Sequence, residues 1–395
     1  MTSVPRICIL GGGFGGLYTA LRLNQLAWEP GQKPEITLID RQTNFVFTPL
    51  LYELITGEMQ GWEIAPPYAE LLKGTDIRFV QGSVDWVDKA QSSVTLEDGT
   101  EIEFDRLVLA LGCETPSESV SGVKEHAIAF RSLQDAYKLD EKLRLLETSS
   151  AERIRVAIVG AGYTGVELAC KLADRLKERG RIRLIQSGDK ILPRAPEFNR
   201  NAALKALEQR GIWVDLETNV SEITENSIGL IYKGQTDPIP VEVVMWTVGN
   251  QVSPAVSHFG LPLNPQGKIT VAETLQVTEN PHIFALGDAA AIADGTGEFI
   301  PTTAQVAFQQ SDFVAWNVWS SLTDRPLLAF RYTNLGEMMT LGDDNAVLSG
   351  MGIQLDGPLA YLARRLVYLY RLPTLEHQLK VGFNWLTQPL VKLLS

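Results

Sequence analysis

Arg6-Ile7-Cys8-Ile9-Leu10-Gly11-Gly12-Gly13-Phe14-Gly15-Gly16 is the stretch on which the fold turns. A short apolar run leads into a glycine-rich turn, and a helical pattern follows from Leu17 to Leu26. The spacing is G-x-G-x-x-G: Gly11 permits the tight turn, Gly13 lets a pyrophosphate approach the backbone, and Gly16 lets the helix pack on the strand. The N-terminus of that helix then presents free N–H groups and the positive end of a dipole to the phosphates.

The same arrangement recurs. Arg155-Val156-Ala157-Ile158-Val159 leads into Gly160-Ala161-Gly162-Tyr163-Thr164-Gly165 and a helical stretch through Leu176. One copy would be weak, since glycine-rich turns are common. Two copies, each between a strand and a helix, predict two dinucleotide-binding folds in one chain.

The acidic residue expected about 20 residues after the fingerprint separates the two copies. In the first, the strand Ile36–Ile39 ends in Asp40, suited to accept hydrogen bonds from an adenosine ribose. In the second, Ile182–Ile185 ends in Gln186. A carboxylate there would repel a 2′-phosphate and an amide does not, so the spacing predicts that NADPH is accepted as well as NADH. Lys190 and Arg194 lie downstream, either as partners for such a phosphate or as ordinary surface cations.

Between and after the fingerprints the chain is β-rich. Ser93–Leu96 and Glu101–Phe104 flank a hairpin turn at Glu97–Thr100. Leu107–Leu111 and Val241–Val248 are buried-type strands that close on Gly112 and Gly249. Further on, His282-Ile283-Phe284-Ala285-Leu286 is followed by Gly287 and Asp288. An Asp at that edge can hold a ribose or polyol hydroxyl. Pro301-Thr302-Thr303-Ala304 opens another helix with threonine as N-cap, and its N-terminus suits negative charge. Gln305 and Gln309, four apart, share one face of that helix. Glu167, among Val166, Leu168 and Ala169, is an acid on an otherwise apolar helix and needs a reason: a hydrogen-bonding role at a ligand, or a partner for the helix dipole.

These residues carry a resemblance. Gly11–Gly16, Asn44–Tyr52, Gly160–Glu167, Ala285–Asp288 and Ala304-Gln305-Val306-Ala307-Phe308-Gln309-Gln310 closely resemble the type II NAD(P)H dehydrogenases, single-subunit FAD-dependent NAD(P)H:quinone oxidoreductases, over essentially the whole chain. Gln186 and the overall similarity point to the cyanobacterial and plastid branch, which includes the demethylphylloquinone reductase of phylloquinone (vitamin K1) synthesis. The resemblance implies an α/β fold with two Rossmann-like domains and a C-terminal amphipathic region. The expected divisions are 1–118 and 256–330 for FAD, 119–255 for NAD(P)H, and 331–395 for membrane association. FAD is expected on Gly11, Gly13, Phe14, Gly15, Gly16 and Asp40, with Gly287, Asp288 and Ala304 at its far end. NAD(P)H is expected on Gly160, Gly162, Gly165 and Gln186, with Glu167, Gln305 and Gln309 as the catalytic set. No metal is expected. Leu111 stands where the flavoprotein pattern usually has Thr, and Cys113 replaces a small residue.

Composition bounds the alternatives. The chain has 395 residues, 45% hydrophobic and 21% charged, enough for two or three folded domains. Its net charge of −12 argues against a nucleic-acid partner. Cys8, Cys113 and Cys170 are scattered, with no CxxC, which weighs against zinc, a dithiol site and a sulfide:quinone reductase. Strand character begins at Ile7, so no signal peptide is expected. Val243–Gly267 is uncharged but carries three prolines, so no spanning segment is expected either.

The tail reads differently from the body. Leu359, Leu362, Ala363, Leu366, Val367 and Leu369 recur at helical spacing, with Tyr361, Arg364, Arg365 and Tyr368 on another face. Pro373 breaks the pattern, and Leu375, Leu379, Phe383, Leu386, Leu390 and Leu394 resume it, with Trp385 as an interfacial aromatic. Gly357–Ser395 holds five Lys/Arg against one Glu, a net of +4 that leaves −16 on the rest. A basic amphipathic tail suits a bilayer surface, and a core-packed or dimerising helix pair is the alternative. With the resemblance, the expected partners are a quinone, the cytoplasmic face of a thylakoid or plasma membrane through 357–395, and a second copy of the chain. A respiratory type II dehydrogenase using plastoquinone and a flavin-based redox sensor with little turnover are the competing functions.

Overall fold

The computed structural model describes residues 4–116, 120–294 and 297–394, except for the side chains of 388–394. The chain forms two compact units. One comprises residues 1–45, 66–114 and 250–333, the other residues 46–65, 115–249 and 334–395. The limits lie at 114/115, 249/250 and 333/334, and the sequence divisions at 118, 255 and 330. Two further features are visible only in three dimensions: residues 46–65, which interrupt the first unit, belong to the second, and residues 334–395 cluster with that unit too.

The first unit is built on a six-stranded sheet. Its order is Gln276–Val277, Asn280–Ala285, Arg106–Leu109, Arg6–Leu10, Glu35–Asp40 and Ile77–Gln81. All neighbours are parallel except the first pair. Ile7, Cys8, Ile9 and Leu10 are all buried, as expected of a central parallel strand covered on both faces. The helix Phe14–Gln25 follows it and packs on the long helix Ala304–Leu322. A three-stranded antiparallel sheet, Val84–Asp88, Ser93–Leu96 and Glu101–Glu103, contains the expected hairpin.

The second unit repeats the plan. Trp213–Asp215, Gly180–Ile185, Ile154–Val159, Val243–Trp246 and Ala127–Ile128 form a five-stranded parallel sheet. The helix Tyr163–Leu176 springs from its central strand. In both sheets the fingerprint strand lies between the second strand and a later one, so each glycine loop sits at the reversal of strand order where ligands of open α/β sheets bind.

The C-terminal helices are Gly357–Arg371 and Leu375–Leu394. The first follows the three-stranded sheet Glu337–Thr340, Ala346–Gly350 and Ile353–Asp356. Its orientation decides what the sequence reading left open. Ala360, Tyr361 and Arg364 are buried, whereas Leu359, Leu362, Leu366 and Tyr370 are more than half exposed. The leucine face points outward and the polar-looking face forms the packing surface. Arg364 is therefore not among the cations available to a membrane: it is fully buried and paired with Glu53. Trp385 is likewise tied inward, with its indole N–H on Glu63 Oε1 at 3.0 Å and its ring under the Arg365 guanidinium. Glu63 also accepts from Asn384, and its carbonyl lies 2.9 Å from the His377 ring. Leu375, Leu379, Phe383 and Leu386 continue the outward apolar face. Leu390, Lys392 and Leu394 lie outside the described side chains. Among the described residues no helix is long and apolar enough to cross a membrane.

Candidate functional site

The first glycine loop is shaped by contacts that exclude side chains. Gly11 has φ +94°, and a Cβ there would strike the carbonyl of Ala110. At Gly16 a Cβ would strike the carbonyl of Gly11, so helix and turn can close only on glycine. Gly13 is the reverse case: as the N-cap of the helix, a Cβ there would meet no protein atom within 4 Å. This opening lies beside the helix N-terminus, a kind of place that can hold a pyrophosphate.

Asp40 fixes the loop from the next strand. One carboxylate oxygen accepts the Gly12 N–H at 2.6 Å and the other the Gln42 N–H at 2.7 Å. Burial pushes its pKa up, while these two N–H bonds and Arg41 pull it back. Tyr68, which the sequence reading passed over, donates its hydroxyl to the Gly12 carbonyl at 2.9 Å. Phe14 packs edge-on to Phe45 and parallel to Tyr18, which in turn meets Phe308.

The other sequence-predicted residues of this unit converge from three segments. A Cβ at Gly15 would touch the Leu286 side chain, which brings the loop against the start of Gly287-Asp288. Asp288 stands half-buried in the short turn Gly287–Ala289, with its carbonyl 3.5 Å from Cys113 Sγ. Gly287 N–H donates to Gln310 Oε1 at 2.7 Å. Gln310 is the buried glutamine of the Gln305/Gln309/Gln310 set, and it couples the helix to the strand end. Thr303 caps the helix through its hydroxyl, 3.2 Å from Val306 N, which leaves Ala304 at the first helical position. Gln305 accepts from the Tyr332 hydroxyl at 2.8 Å. Gln309 closes both ends of its amide on Thr333, donating to the carbonyl at 2.8 Å and accepting the N–H at 3.1 Å.

The second unit reproduces the first loop with one substitution. Gly160 has φ +105°, a Cβ at Gly165 would strike the Gly160 carbonyl, and a Cβ at Gly162 would meet nothing within 4 Å. Gln186 Oε1 accepts the Ala161 N–H at 3.0 Å, the counterpart of the bond from Gly12 to Asp40. The amide thus replaces the carboxylate in supporting the loop without bringing a negative charge. Arg200 holds the following segment through the carbonyls of Ile191, Leu192 and Ala195. Lys190 and Arg194 are exposed beside it.

Glu167 lies on the helix Tyr163–Leu176, beyond its first turn and 6% exposed. The dipole explanation is weak there, since the effect is confined to the first turn. Its Oε1 accepts the Thr340 N–H at 3.0 Å and lies 3.9 Å from Arg364. Burial pushes its pKa up to about 7, against the opposing pull of Arg364 and of the Thr340 and Tyr52 hydrogen bonds. A carboxyl that changes protonation near neutrality is chemically useful, and such groups concentrate at functional sites. Sequence reasoning missed its two neighbours. Glu53 sits in the apolar stretch Pro49–Ile55. Arg364 sits on the Ala360/Tyr361/Arg364/Tyr368 face of the tail helix. In each case the legible signal was a charge on a face that is otherwise apolar or aromatic.

Cys8, Cys113 and Cys170 form no disulfide among the described residues. Cys8 and Cys170 are buried, which pushes both thiols up to about 12 and leaves them poor nucleophiles.

The pyridine nucleotide-disulphide oxidoreductase family model matches residues 5–311. The chain belongs to that family. Over 98% of its length it is 57% identical to demethylphylloquinone reductase NdbB of Synechocystis sp., covering 96% of that protein. It is 44% identical to the alternative NAD(P)H-ubiquinone oxidoreductase C1, chloroplastic/mitochondrial, of Arabidopsis thaliana, over 98% of this chain and 81% of that one. The solved structure of NDH2 from Plasmodium falciparum in complex with NADH superposes with a TM-score of 0.86 over 98% of both chains at 19% identity, a likeness of fold. Within the family the chain groups with the type II NAD(P)H:quinone oxidoreductases, enzymes that use FAD and a nicotinamide nucleotide. A sulfide:quinone oxidoreductase from Aquifex aeolicus also shares the fold, with a TM-score of 0.78 at 21% identity.

Proposed function

We propose that this family member oxidises NAD(P)H and reduces a prenylated naphthoquinone, demethylphylloquinone, while resting on a membrane surface. The observation that carries the substrate assignment is the end-to-end relation to the Synechocystis reductase of that name, at 57% identity.

The residues of the first unit fit FAD. The opening at Gly13 admits a pyrophosphate where a side chain would fill it, and Asp40 stands at the strand end where a ribose is read. Gly287-Asp288 and the N-terminus of the helix Ala304–Leu322 stand at the far end of the same site. FAD, when bound, supplies a centre that takes up a hydride from NAD(P)H and passes two electrons to a quinone. The protein's own part is placement. The first loop holds one pyrophosphate and Gly160–Gly165 another. Gln186 reads the second ribose without excluding a 2′-phosphate. The helix N-terminus at Ala304 would favour negative charge on the bound ring. Glu167 holds or releases a proton at its carboxyl, as its position between two protonation states at neutral pH allows.

The exposed leucines of Gly357–Arg371 and the Leu375/Leu379/Phe383/Leu386 face support a peripheral attachment. Arg371 and Lys380 remain as cations near it, Lys380 in an exposed pair with Glu376. A prenyl-tailed quinone partitions into the bilayer that such a face would meet.

Purified FAD-loaded protein is assayed with NADPH and NADH against menadione and decylubiquinone, and a deletion strain is profiled for its quinones. Turnover with menadione and accumulation of demethylphylloquinone are expected. Absence of quinone-dependent oxidation of either nucleotide would refute the enzyme reading. A normal quinone profile would refute the biosynthetic one in favour of respiratory entry.

A further inference from the structure

Glu167, Arg364 and Glu53 form a buried acid–base–acid row within the second unit. The central guanidinium is not shared evenly. Arg364 donates to Glu53 Oε1 at 2.5 Å and to the Pro49 carbonyl at 2.6 Å, while its distance to Glu167 Oε1 is 3.9 Å, beyond a hydrogen bond. Its ring partner Tyr368 lies below, 4.8 Å from the guanidinium carbon to the ring centroid. Two atoms of the row, Glu53 Oε2 and Arg364 Nε, have no hydrogen-bond partner among the described residues. The pairing with Glu53 is thus incomplete, although Arg364 is fully buried.

The chain therefore spends its nearest buried cation on a carboxylate other than Glu167. We propose that Glu53 is a positioning residue, holding the Arg364 guanidinium off Glu167 so that Glu167 can exchange a proton during quinone reduction. The groups facing Glu167 define the competition. From the helix Gly357–Arg371 come Arg364 and Tyr368. From the segment before the helix Glu53–Thr56 come Tyr52, and then Glu53 itself. From the strand Glu337–Thr340 comes the Thr340 N–H, and from its own helix come Tyr163 and Cys170, while Lys171 faces Glu53. Lys171 is committed elsewhere: it is fully buried and paired with Glu58 and with Asp343. Arg364 is the cation that can move to Glu167, and Glu53 is what prevents it. Were the guanidinium released, a full buried ion pair with Glu167 would form, and the acid would stay ionised through the neutral range.

For its consequence in turnover the proposal rests on the quinone-reductase reading, so the test has two readouts. The first is an infrared pH titration of the protonated carboxyl band in FAD-loaded, full-length protein, assigned to Glu167 by its loss in Glu167→Gln. The second is kcat/KM for menadione against pH. Glu53→Gln removes the competing charge and should lower the Glu167 midpoint by at least one pH unit, about tenfold in the protonated fraction above the midpoint. The limb of the pH profile that Glu167→Gln abolishes should move with it. Glu53→Asp should restore both towards wild type. Glu53→Gln combined with Arg364→Gln removes both charges and should move the midpoint upward, because burial is then unopposed. Opposite shifts in the single and double variants are what a merely structural role cannot produce. An unmoved midpoint in Glu53→Gln, or a shift of both variants in one direction, would overturn the proposal. If the single variant fails to fold, the double variant decides: a midpoint above wild type supports it and one at or below refutes it. The predicted infrared order with no quinone turnover in the wild type would support the electrostatic role and refute the quinone reading.

Discussion

On the proposed assignment the two glycine loops take different nucleotides in different units, and three Gly→Ala substitutions separate the claims. At Gly162 a Cβ would meet no protein atom within 4 Å, and the backbone there has φ −77°, open to any residue. Gly162→Ala should therefore fold. Loss of chain freedom in the unfolded state stabilises by about 0.4–1 kcal/mol, and a poorer N-cap costs about the same. The net change in stability should be within about 1 kcal/mol. The added methyl, however, occupies the opening through which a nucleotide pyrophosphate approaches the helix N-terminus. Losing even one charge-assisted N–H contact is worth about 1.5–3 kcal/mol, or roughly 10- to 150-fold in affinity. KM for NAD(P)H should rise by at least tenfold while FAD content stays at wild-type level. Gly13→Ala should do the converse: a folded protein purified without FAD. At Gly165 the Cβ would collide with the Gly160 carbonyl, so Gly165→Ala should lose stability before binding is even measured. Thermal melts, flavin absorbance and initial rates against nucleotide concentration distinguish the three. A Gly162→Ala enzyme with nucleotide KM within twofold of wild type, or one that loses FAD instead, would refute the assignment.

Gln186→Glu should shift preference from NADPH toward NADH, since a carboxylate can keep the Ala161 N–H bond while repelling a 2′-phosphate; an unchanged ratio of kcat/KM values would show that this position does not read the ribose. Leu362→Glu with Leu366→Glu, both on the outward face, should leave the melting temperature within a few degrees and abolish sedimentation with lipid vesicles. Deleting the tail after Asp356 is a poorer test, because it strips Arg364 from Glu53 and leaves a buried charge unpaired, at about 3–5 kcal/mol. Glu167 should also leave a mark on stability. Its folded pKa, about 7, lies above the 4.5 of a free glutamate carboxyl. The stability tied to its protonated form is thus complete below pH 4.5 and is lost as pH rises through 7, a swing of about 3 kcal/mol. Thermal melts from pH 5 to 8 should fall more steeply for wild type than for Glu167→Gln, and parallel curves would refute the shift.

Much of this was open to the sequence because its signals are local. A glycine needed for a positive φ, as at Gly11 and Gly160, must be glycine whatever surrounds it, and a strand buried on both faces must be apolar throughout, as Ile7–Leu10 is. The strand-end residues Asp40 and Gln186 occupy equivalent places, and chain spacing alone located both. The cap at Thr303 and the helix break at Pro373 are equally short-range.

What escaped depends on residues far apart in the chain. Glu53 and Arg364 are 311 positions apart, and no periodicity relates them. Residues 46–65 belong to the second unit although they interrupt the first. Amphipathic spacing identified two faces of the helix Gly357–Arg371 but not which one turns inward, because hydrophobicity decides that only when the inner surface is apolar. Here the inner surface presents a buried carboxylate at Glu53 and a raised one at Glu167. The face carrying a cation and tyrosines packs, and the leucines are left outside. The sequence by itself determined two strand–glycine loop–helix units and their order. Tertiary structure decided that a tail arginine is an interior counter-ion rather than a surface charge, because burial and pairing are properties of the assembled neighbourhood and not of the residue.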